Sequence, residues 1–500
     1  MGVGAEQRTG ADWHPRCVDP HVARPRKGKR RRGGDHKECD ARIAELEALV
    51  AQLSAEIKEL KRRLGQDSSN SDKPPSTDPP SRPPRQKRER GKRNPGGQPG
   101  HEGHARELLP PEQVDEIEEH RPSACGGCGR KLRGNDPSPQ RHQVTEMPPV
   151  KPTVVEHRLH TLECACGERT RAELPIGVPT GAFGPRLQAL VGLLTGAYRI
   201  SKRNTVQLLS DCFGVPIAVG SIKRLEDDLS AALAAPVEAA KEYVRARPVV
   251  GMDETSWRQA GQKAWLWTAV TTLVVVFVIR FSRGSKVAKE LVGEKYRGRI
   301  VTDRWSGYTW VDPRRRQLCW AHLKRDFQKI AEAGGKLAAI GEALQVRRKQ
   351  LFTWWHRVRD GTLARSSFQA YVRPLRAEVK DLLRQGKACT DEKLSGMCGE
   401  ILKLEVAMWT FVCVENVEPT NNESERALRH AVIWRKTSFG TQSDAGTSFV
   451  ERILTVVSTL RLQRRSVLDY LAEVCSAALE GRAGPSLLPS GMRAEACQAA

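Results

Sequence analysis

Pro248-Val249-Val250-Gly251-Met252-Asp253 is an apolar run that closes on an acid, and Gly298-Arg299-Ile300-Val301-Thr302-Asp303 repeats that form. Short β-branched runs bounded by proline or glycine read as buried strands. Between them lie two more strand-like runs, Lys263 to Val270 and Leu273 to Arg280, and a helical pattern from Lys286 to Tyr296. Gln317 to His322 then supplies a fifth strand and its exit. A lone aspartate at a strand end is most often a turn residue. Two in matching settings point to shared chemistry. With the first and fourth strands as sheet neighbours, Asp253 and Asp303 lie side by side, and such like charges raise a pKa unless a cation is present.

A third acid stands in Pro419-Thr-Asn-Asn-Glu423-Ser-Glu425-Arg426-Ala-Leu-Arg429-His430. Asn421 or Asn422 can cap a helix that starts here. Glu425 is one candidate ligand and Glu423 a competing one; acids also favour a first helical turn for ordinary dipole reasons. Arg426 and Arg429, with Arg435 and Lys436 further on, can reach phosphates. Two strand acids and one helix acid are how a ribonuclease-H-like α/β core holds two Mg2+ (or Mn2+) ions. Such a pair activates an attacking oxygen and stabilises a leaving one in phosphoryl transfer. The expected catalytic domain is 247–475. It carries an all-α insertion at about 323–412, with Trp354, Trp355, Ile401, Leu404 and Trp409 as core candidates. Cys319-x2-His322 reads as half a metal site with no second half nearby, or as a buried structural pair.

The upstream half is modular. Residues 1–40 are expected to be a disordered basic N-terminus: seven of the nine residues from Arg24 to Arg32 are Lys or Arg. Residues 41–64 repeat Ile43, Leu46, Val50, Leu53, Ile57, Leu60 and Leu64 at steps of three and four, the seam of a coiled coil. β-branched residues at one core position and Leu at the other favour a parallel dimer. Residues 65–119 form a Pro/Gly-rich basic linker, whose Arg88, Arg90, Lys92 and Arg93 can track phosphates. Residues 120–172 hold Cys125-x2-Cys128 and Cys164-x-Cys166. Two thiolate pairs on glycine turns can close a tetrahedral Zn2+ site. His157 and His160 are substitute ligands, and Thr153 to Leu162 alternates like a ribbon strand. Residues 184–246 read as three helices: Pro185 to Leu194, one capped by Ser201 and running towards Cys212, and one from Val219 or Ser221. The Phe213-Gly-Val-Pro216 turn before the last helix, with Lys223 and Arg224 near its start, gives a helix-turn-helix-like segment that can be a DNA reader or a plain connector. Residues 484–500 read as a disordered tail.

Composition bounds the partners. A chain of 500 residues exceeds one compact core, and a formal charge of +23 favours a polyanion such as nucleic acid. No run of 18 apolar residues suits a membrane span. The basic N-terminus lacks the apolar core of a secretory signal, so the thirteen cysteines are not expected to form a disulfide framework. A cytoplasmic, bacterial, nucleoid-associated location is expected, with no membrane partner.

Taken together, these features resemble the transposases of bacterial insertion sequence 66 elements, a DDE class with a zinc-binding domain. The resemblance runs from about residue 41 to 475. It rests on the heptad helix ending Leu64-Gly-Gln-Asp-Ser-Ser-Asn-Ser-Asp-Lys-Pro-Pro75 and on the arm Pro95-Gly-Gly-Gln-Pro-Gly-His101. It rests also on the cysteine pairs, the Asp253 and Asp303 strands, Cys319-x2-His322, and Asn421-Asn422-x2-Glu425-Arg426. By position, Asp253, Asp303 and Glu425 match that family's catalytic triad. The resemblance implies binding to double-stranded DNA at terminal inverted repeats, 3′-end cleavage, and strand transfer into a target. It also implies Mg2+ or Mn2+ at two ions per site, structural Zn2+, and a homodimer or larger synaptic oligomer. Accessory proteins encoded by the same element are implied partners. A catalytically inactive zinc-ribbon DNA-binding protein derived from a transposase is the competing reading. A cellular junction resolvase is a third, disfavoured by the zipper and the helical insertion.

Overall fold

The structure, a computed structural model, describes residues 37–64 and 107–489. The chain divides into two compact units, Met1–Asn70 and Ser71–Ala500. In the first, α1 (Lys37–Leu64) is one helix of 28 residues. Its Ile43, Leu46, Val50, Leu53 and Ile57 are all exposed. The expected basic N-terminus to residue 36, and the linker as far as residue 106, lie outside the described residues.

In the second unit, β1 (Thr161–Glu163) and β2 (Arg169–Arg171) form a small antiparallel hairpin. The expected ribbon strand from Thr153 is therefore shorter. Its alternation is not matched by burial: Val154 and Val155 are exposed, so nothing apolar fixes them as strand. Next come α2 (Pro185–Gly192), a wider π turn (Leu193–Ala197), α3 (Lys202–Phe213), α4 (Val219–Ala232) and α5 (Ala234–Arg245). The Ser201 side chain caps α3 by accepting from the Asn204 amide, and Gly214 closes that helix at φ +64°. The turn before α4 packs Val215 and Ile217 against Val191, Leu209 and Ile222. The same helices continue into the main core: a Cβ at Gly192 would strike Leu229, and one at Gly196 would strike Ile453.

The main sheet has five strands. These are β3 (Val249–Gln259), β4 (Gln262–Val270), β5 (Val275–Arg280), β6 (Arg299–Thr302) and β7 (Arg316–Leu318), in the order β5-β4-β3-β6-β7. The first three are antiparallel neighbours; β6 and β7 join parallel to β3. The first and fourth strands are thus adjacent, as expected of a ribonuclease-H-like strand order. α6 (Ser285–Val292) connects β5 to β6; it starts one residue before the expected Lys286 and ends four residues short of Tyr296, where Gly293 at φ +90° stops it.

After β7 the chain enters α7 (Trp320–Ala331), α8 (Gly335–Arg359), α9 (Arg365–Lys387), α10 (Glu392–Lys403) and α11 (Thr410–Cys413). These helices build a second apolar core against Val301 and Leu318 of the sheet, in which Trp355, Ile401 and Trp409 are buried while Trp354 and Leu404 pack at its margin. The chain returns to the sheet through α12 (Asn422–Ser438), α13 (Asp444–Leu462) and α14 (Val467–Leu479).

β5 is a sheet edge, and α13 covers it. The amides of Val275, Phe277 and Ile279 donate to Thr459 Oγ1, Thr455 Oγ1 and Glu451 Oε1 at 3.1, 3.0 and 2.5 Å. Alternate strand residues repeat every ~6.8 Å and every fourth helical residue every ~6.0 Å, so one helix row can serve one strand row. Residues 484–489, expected within the tail, are packed on the body. Leu487 is buried, and the Pro485, Ser486 and Leu487 carbonyls accept from Tyr470, Arg465 and Gln463. The fold is mixed α/β, and among the described residues no helix is long and apolar enough to cross a membrane.

Candidate active site

Side chains alternate along β3, so Gly251, Asp253 and Thr255 share one face and Met252 and Glu254 the other. The first face receives α12. Asn421 Nδ2 donates to the Met252 carbonyl at 2.7 Å, and Ser424 Oγ donates to Asn421 Oδ1 at 2.8 Å. Gly251 permits this approach: a Cβ there would lie 2.6 Å from Ser424 Oγ. At the far end of α12, Arg435 donates to the Ser256 carbonyl at 2.6 Å and to Thr255 Oγ1 at 3.2 Å. The helix is therefore pinned to the strand at both ends.

β3 and β6 pair as Val249 with Arg299, Val250 with Ile300 and Gly251 with Val301. Continuing that register by two positions aligns Asp253 with Asp303. Asp303 Oδ1 accepts from the Trp305 amide at 2.9 Å, and its carbonyl accepts from Arg316 Nη2 at 2.6 Å. Arg316 is wholly buried; burial pulls its guanidinium down to about 10. It also donates to Thr302 Oγ1 at 2.9 Å, so it holds the end of β6 in shape.

Asp253 is half-buried, and burial first, then the charges of Glu254, Asp303 and Glu425, push its carboxyl well above the usual range. Glu425, one helical turn beyond Asn421, thus acts on this acid. Glu423 is exposed and pairs with Arg426. Glu254 is a fourth acid of the neighbourhood, on the opposite face of β3. It is buried, accepts from Tyr308 Oη at 2.7 Å and from Arg283 Nε at 2.9 Å, and is raised by burial and by Asp303. Its signal in the sequence was its place beside Asp253; its partners come from the loops around β6.

Glu425 has further neighbours. Cys319 is the N-cap of α7 and His322 lies in its first turn. Glu425 Oε1 is 3.5 Å from His322 Nδ1. Cys319, His322 and Glu425 offer ligand atoms that all lie within 4.8 Å of one another. Among the described residues they are the one group of three or more His, Cys, Asp or Glu side chains that close. Asp253, Asp303 and Glu425 are spread more widely. Cys319 is buried, which pushes its thiol up to about 11; burial and Arg325 lower His322.

The two upstream cysteine pairs each sit on a closed turn. Gly129 donates to the Cys125 carbonyl and Gly167 to the Cys164 carbonyl, at 2.9 and 2.8 Å, and both glycines have positive φ. Hydrogen bonds from the Cys128 and Gly127 amides lower the Cys125 thiol, and those from Cys166 lower Cys164. Cys125, Cys128, Cys164 and Cys166 do not gather into one close group. Of the expected DNA contacts, Arg224, Arg429 and Lys436 are exposed. Arg426 pairs with Glu423, Lys223 with Asp227, and Arg435 with β3. Arg88, Arg90, Lys92 and Arg93 lie outside the described residues.

The chain is 24% identical over 241 residues to the uncharacterized protein y4qI of Sinorhizobium fredii, covering 44% of each chain. It is 23% identical over 390 residues to the uncharacterized protein y4hP of the same organism, covering 70% of this chain and 69% of that one. It thus spans less than half the length of the first of these relatives. Residues 22–107, which include α1, match a family of unknown function. Residues 180–448, from just before α2 into α13 and so including Asp253, Asp303, the Cys319–His322 pair and Glu425, match the Transposase IS66 family model, and the chain belongs to that family.

Proposed function

We propose that this protein is a DDE-type DNA transposase built on a ribonuclease-H-like core. Asp253, Asp303 and Glu425 are its metal-binding acids. The observation that carries the reading is the convergence on Asp253: the parallel register, continued two positions, brings Asp303 beside it, and the charges of Asp303 and Glu425 both act on it. The donor set fits a hard divalent cation. Carboxylate oxygens suit Mg2+ or Mn2+, a cation offsets the burial and the neighbouring negative charges that raise Asp253, and Glu425 Oε1 is buried with no hydrogen-bond partner. Two ions bound there would supply positive charge that favours ionisation of the attacking oxygen and offsets charge on the leaving one.

The protein's own part is positioning. Arg316 and Trp305 fix Asp303, Asn421 and Gly251 set the height of α12 on β3, and the exposed Arg429 and Lys436 offer cations to flanking phosphates. The chemistry is two in-line displacements at phosphorus. In the first, water forms a new O–P bond as the 3′-oxygen of the element end leaves and takes a proton. In the second, that 3′-hydroxyl attacks a target phosphodiester and the target's own 3′-oxygen leaves. Holding both DNAs in line is the chief contribution such a site can make.

The remaining modules deliver DNA. The exposed seam of α1 supports a parallel dimer within a synaptic oligomer. The glycine turns at Cys125–Cys128 and Cys164–Cys166 support a structural Zn2+ ribbon. The α3–α4 pair, with Lys223 and Arg224, supports a helix-turn-helix contact. Terminal inverted repeats are the expected ligand, accessory proteins of the same element are expected partners, and the bacterial cytoplasm is the expected location. The test uses a labelled duplex carrying the DNA that flanks this gene. Wild type should nick it at the element's 3′ end with Mg2+ or Mn2+, while Asp303→Asn cuts at background level yet binds the duplex with little change. Binding without cleavage by the wild type would point instead to an inactive DNA-binding descendant.

A further inference from the structure

Cys319, His322 and Glu425 bring together a thiol, an imidazole and a carboxylate from two elements far apart in the chain. Their meeting is not a packing accident of one helix. Cys319 and His322 occupy the start of α7, while Glu425 reaches them from α12. The two elements are locked by the Asn421 amide, which donates to Cys319 Sγ at 3.2 Å, and by the Trp320 amide, which donates to the Pro419 carbonyl at 2.9 Å. All three ligand atoms lie within 4.8 Å of one another. The facing atoms, His322 Nδ1 and Glu425 Oε1, are buried and have no hydrogen-bond partner, and at 3.5 Å they are too far apart to satisfy each other. Orphaned buried polar atoms are uncommon and call for a reason.

We propose that these three residues form a binding site for a transition metal of the Zn2+ class, beside the acid site and distinct from it in chemistry. A thiolate, a neutral imidazole and a carboxylate are a soft-to-borderline set that selects Zn2+ over Mg2+. One thiolate and one carboxylate neutralise a 2+ charge. Three protein ligands leave the fourth tetrahedral position open. The His322 and Glu425 side chains are 26% and 33% exposed, so the site has an entry path. The inference shares Glu425 with the proposed catalytic acids. A Zn2+ ion here and an ion on the Asp253–Asp303 side therefore draw on one carboxylate, and Glu425 is the point where zinc supply and DNA cutting meet.

The test is metal content, not activity. Full-length protein is stripped with chelator, reloaded with Zn2+ in the presence of Mg2+, desalted and assayed for zinc per chain by mass spectrometry. Cys319→Ser and His322→Gln should each hold one equivalent less than wild type. Asp303→Asn should hold as much as wild type, even if it cuts no DNA. Cys125→Ser should lower zinc independently if the upstream pairs also bind. Co2+ replaces Zn2+ for a spectroscopic check, and part of the thiolate-to-cobalt absorption should vanish in Cys319→Ser. Metal-free melting curves for each variant report whether it folds. Unchanged zinc content in folded Cys319→Ser and His322→Gln would overturn the site, and would leave the reading of Asp253 and Asp303 untouched.

Discussion

Asp253 carries a consequence for stability. The folded protein holds its proton more tightly than the unfolded chain, because burial and the nearby charges of Glu254, Asp303 and Glu425 raise it. An unfolded aspartate has a pKa of about 3.9. Above that value the folded state binds more protons than the unfolded one, so stability falls as pH rises through Asp253's raised value. In chelator, the melting temperature of wild type should decline across this window. Asp253→Asn should remove part of the slope, with Glu254, shifted in the same direction, supplying a remainder. Identical slopes for the two proteins would contradict the assignment. At this scale the sequence was partly legible. Asp253 and Asp303 could be named because each follows an apolar run, although only Asp303 stands at a strand end: β3 continues six residues past Asp253 to Gln259. The duty of Asn421 could not, since its acceptor is a main-chain carbonyl 169 residues away. Cys319 and His322 looked like half a site for the same reason: the missing third is on α12.

The covered edge of β5 belongs to the scale of elements. An edge strand presents unpaired amides that invite pairing with another chain. Here the row Glu451, Thr455 and Thr459 of α13 takes them instead. Thr455→Val keeps shape but leaves the Phe277 amide buried without an acceptor, which should cost about 1–3 kcal/mol in denaturant unfolding. Thr353→Val, whose hydroxyl bonds its own exposed helix at Lys349, serves as the control and should cost little. Equal costs would mean that the ladder contributes nothing. The strands themselves were readable from apolar runs, and so were α3 and α4, whose Ser201 cap and Gly214 stop are local signals; the pairing of the first strand with the fourth came from the likeness to a ribonuclease-H-like fold. The ribbon strand from Thr153 was over-read. Alternation alone did not locate it: β1, whose side chains are all exposed, is made a strand by main-chain pairing with β2, and Val154 and Val155 lie outside that pairing.

For the whole molecule, the exposed seam of α1 predicts self-association. Val50→Lys puts a charge at a core position of the repeat and should shift full-length protein towards monomer in light scattering at fixed concentration; equal masses for variant and wild type would remove the zipper from the model of assembly. The charge of +23 implies a second dependence, on salt, since contacts to phosphate weaken as counterions compete. The clamp of Asn421 on the Met252 carbonyl has a meaning in time as well as in space. A ribosome adds ~5–20 residues each second, so the 169 positions between these partners take on the order of 10–30 s to emerge. Through the later part of that interval, once Asp303 has followed Asp253, a nascent chain owns both aspartates without the helix that completes their site. On the proposed function, a polypeptide interrupted anywhere before residue 421 lacks α12 and Glu425 and should be unable to cut, so the proposed chemistry waits until α12 has been made.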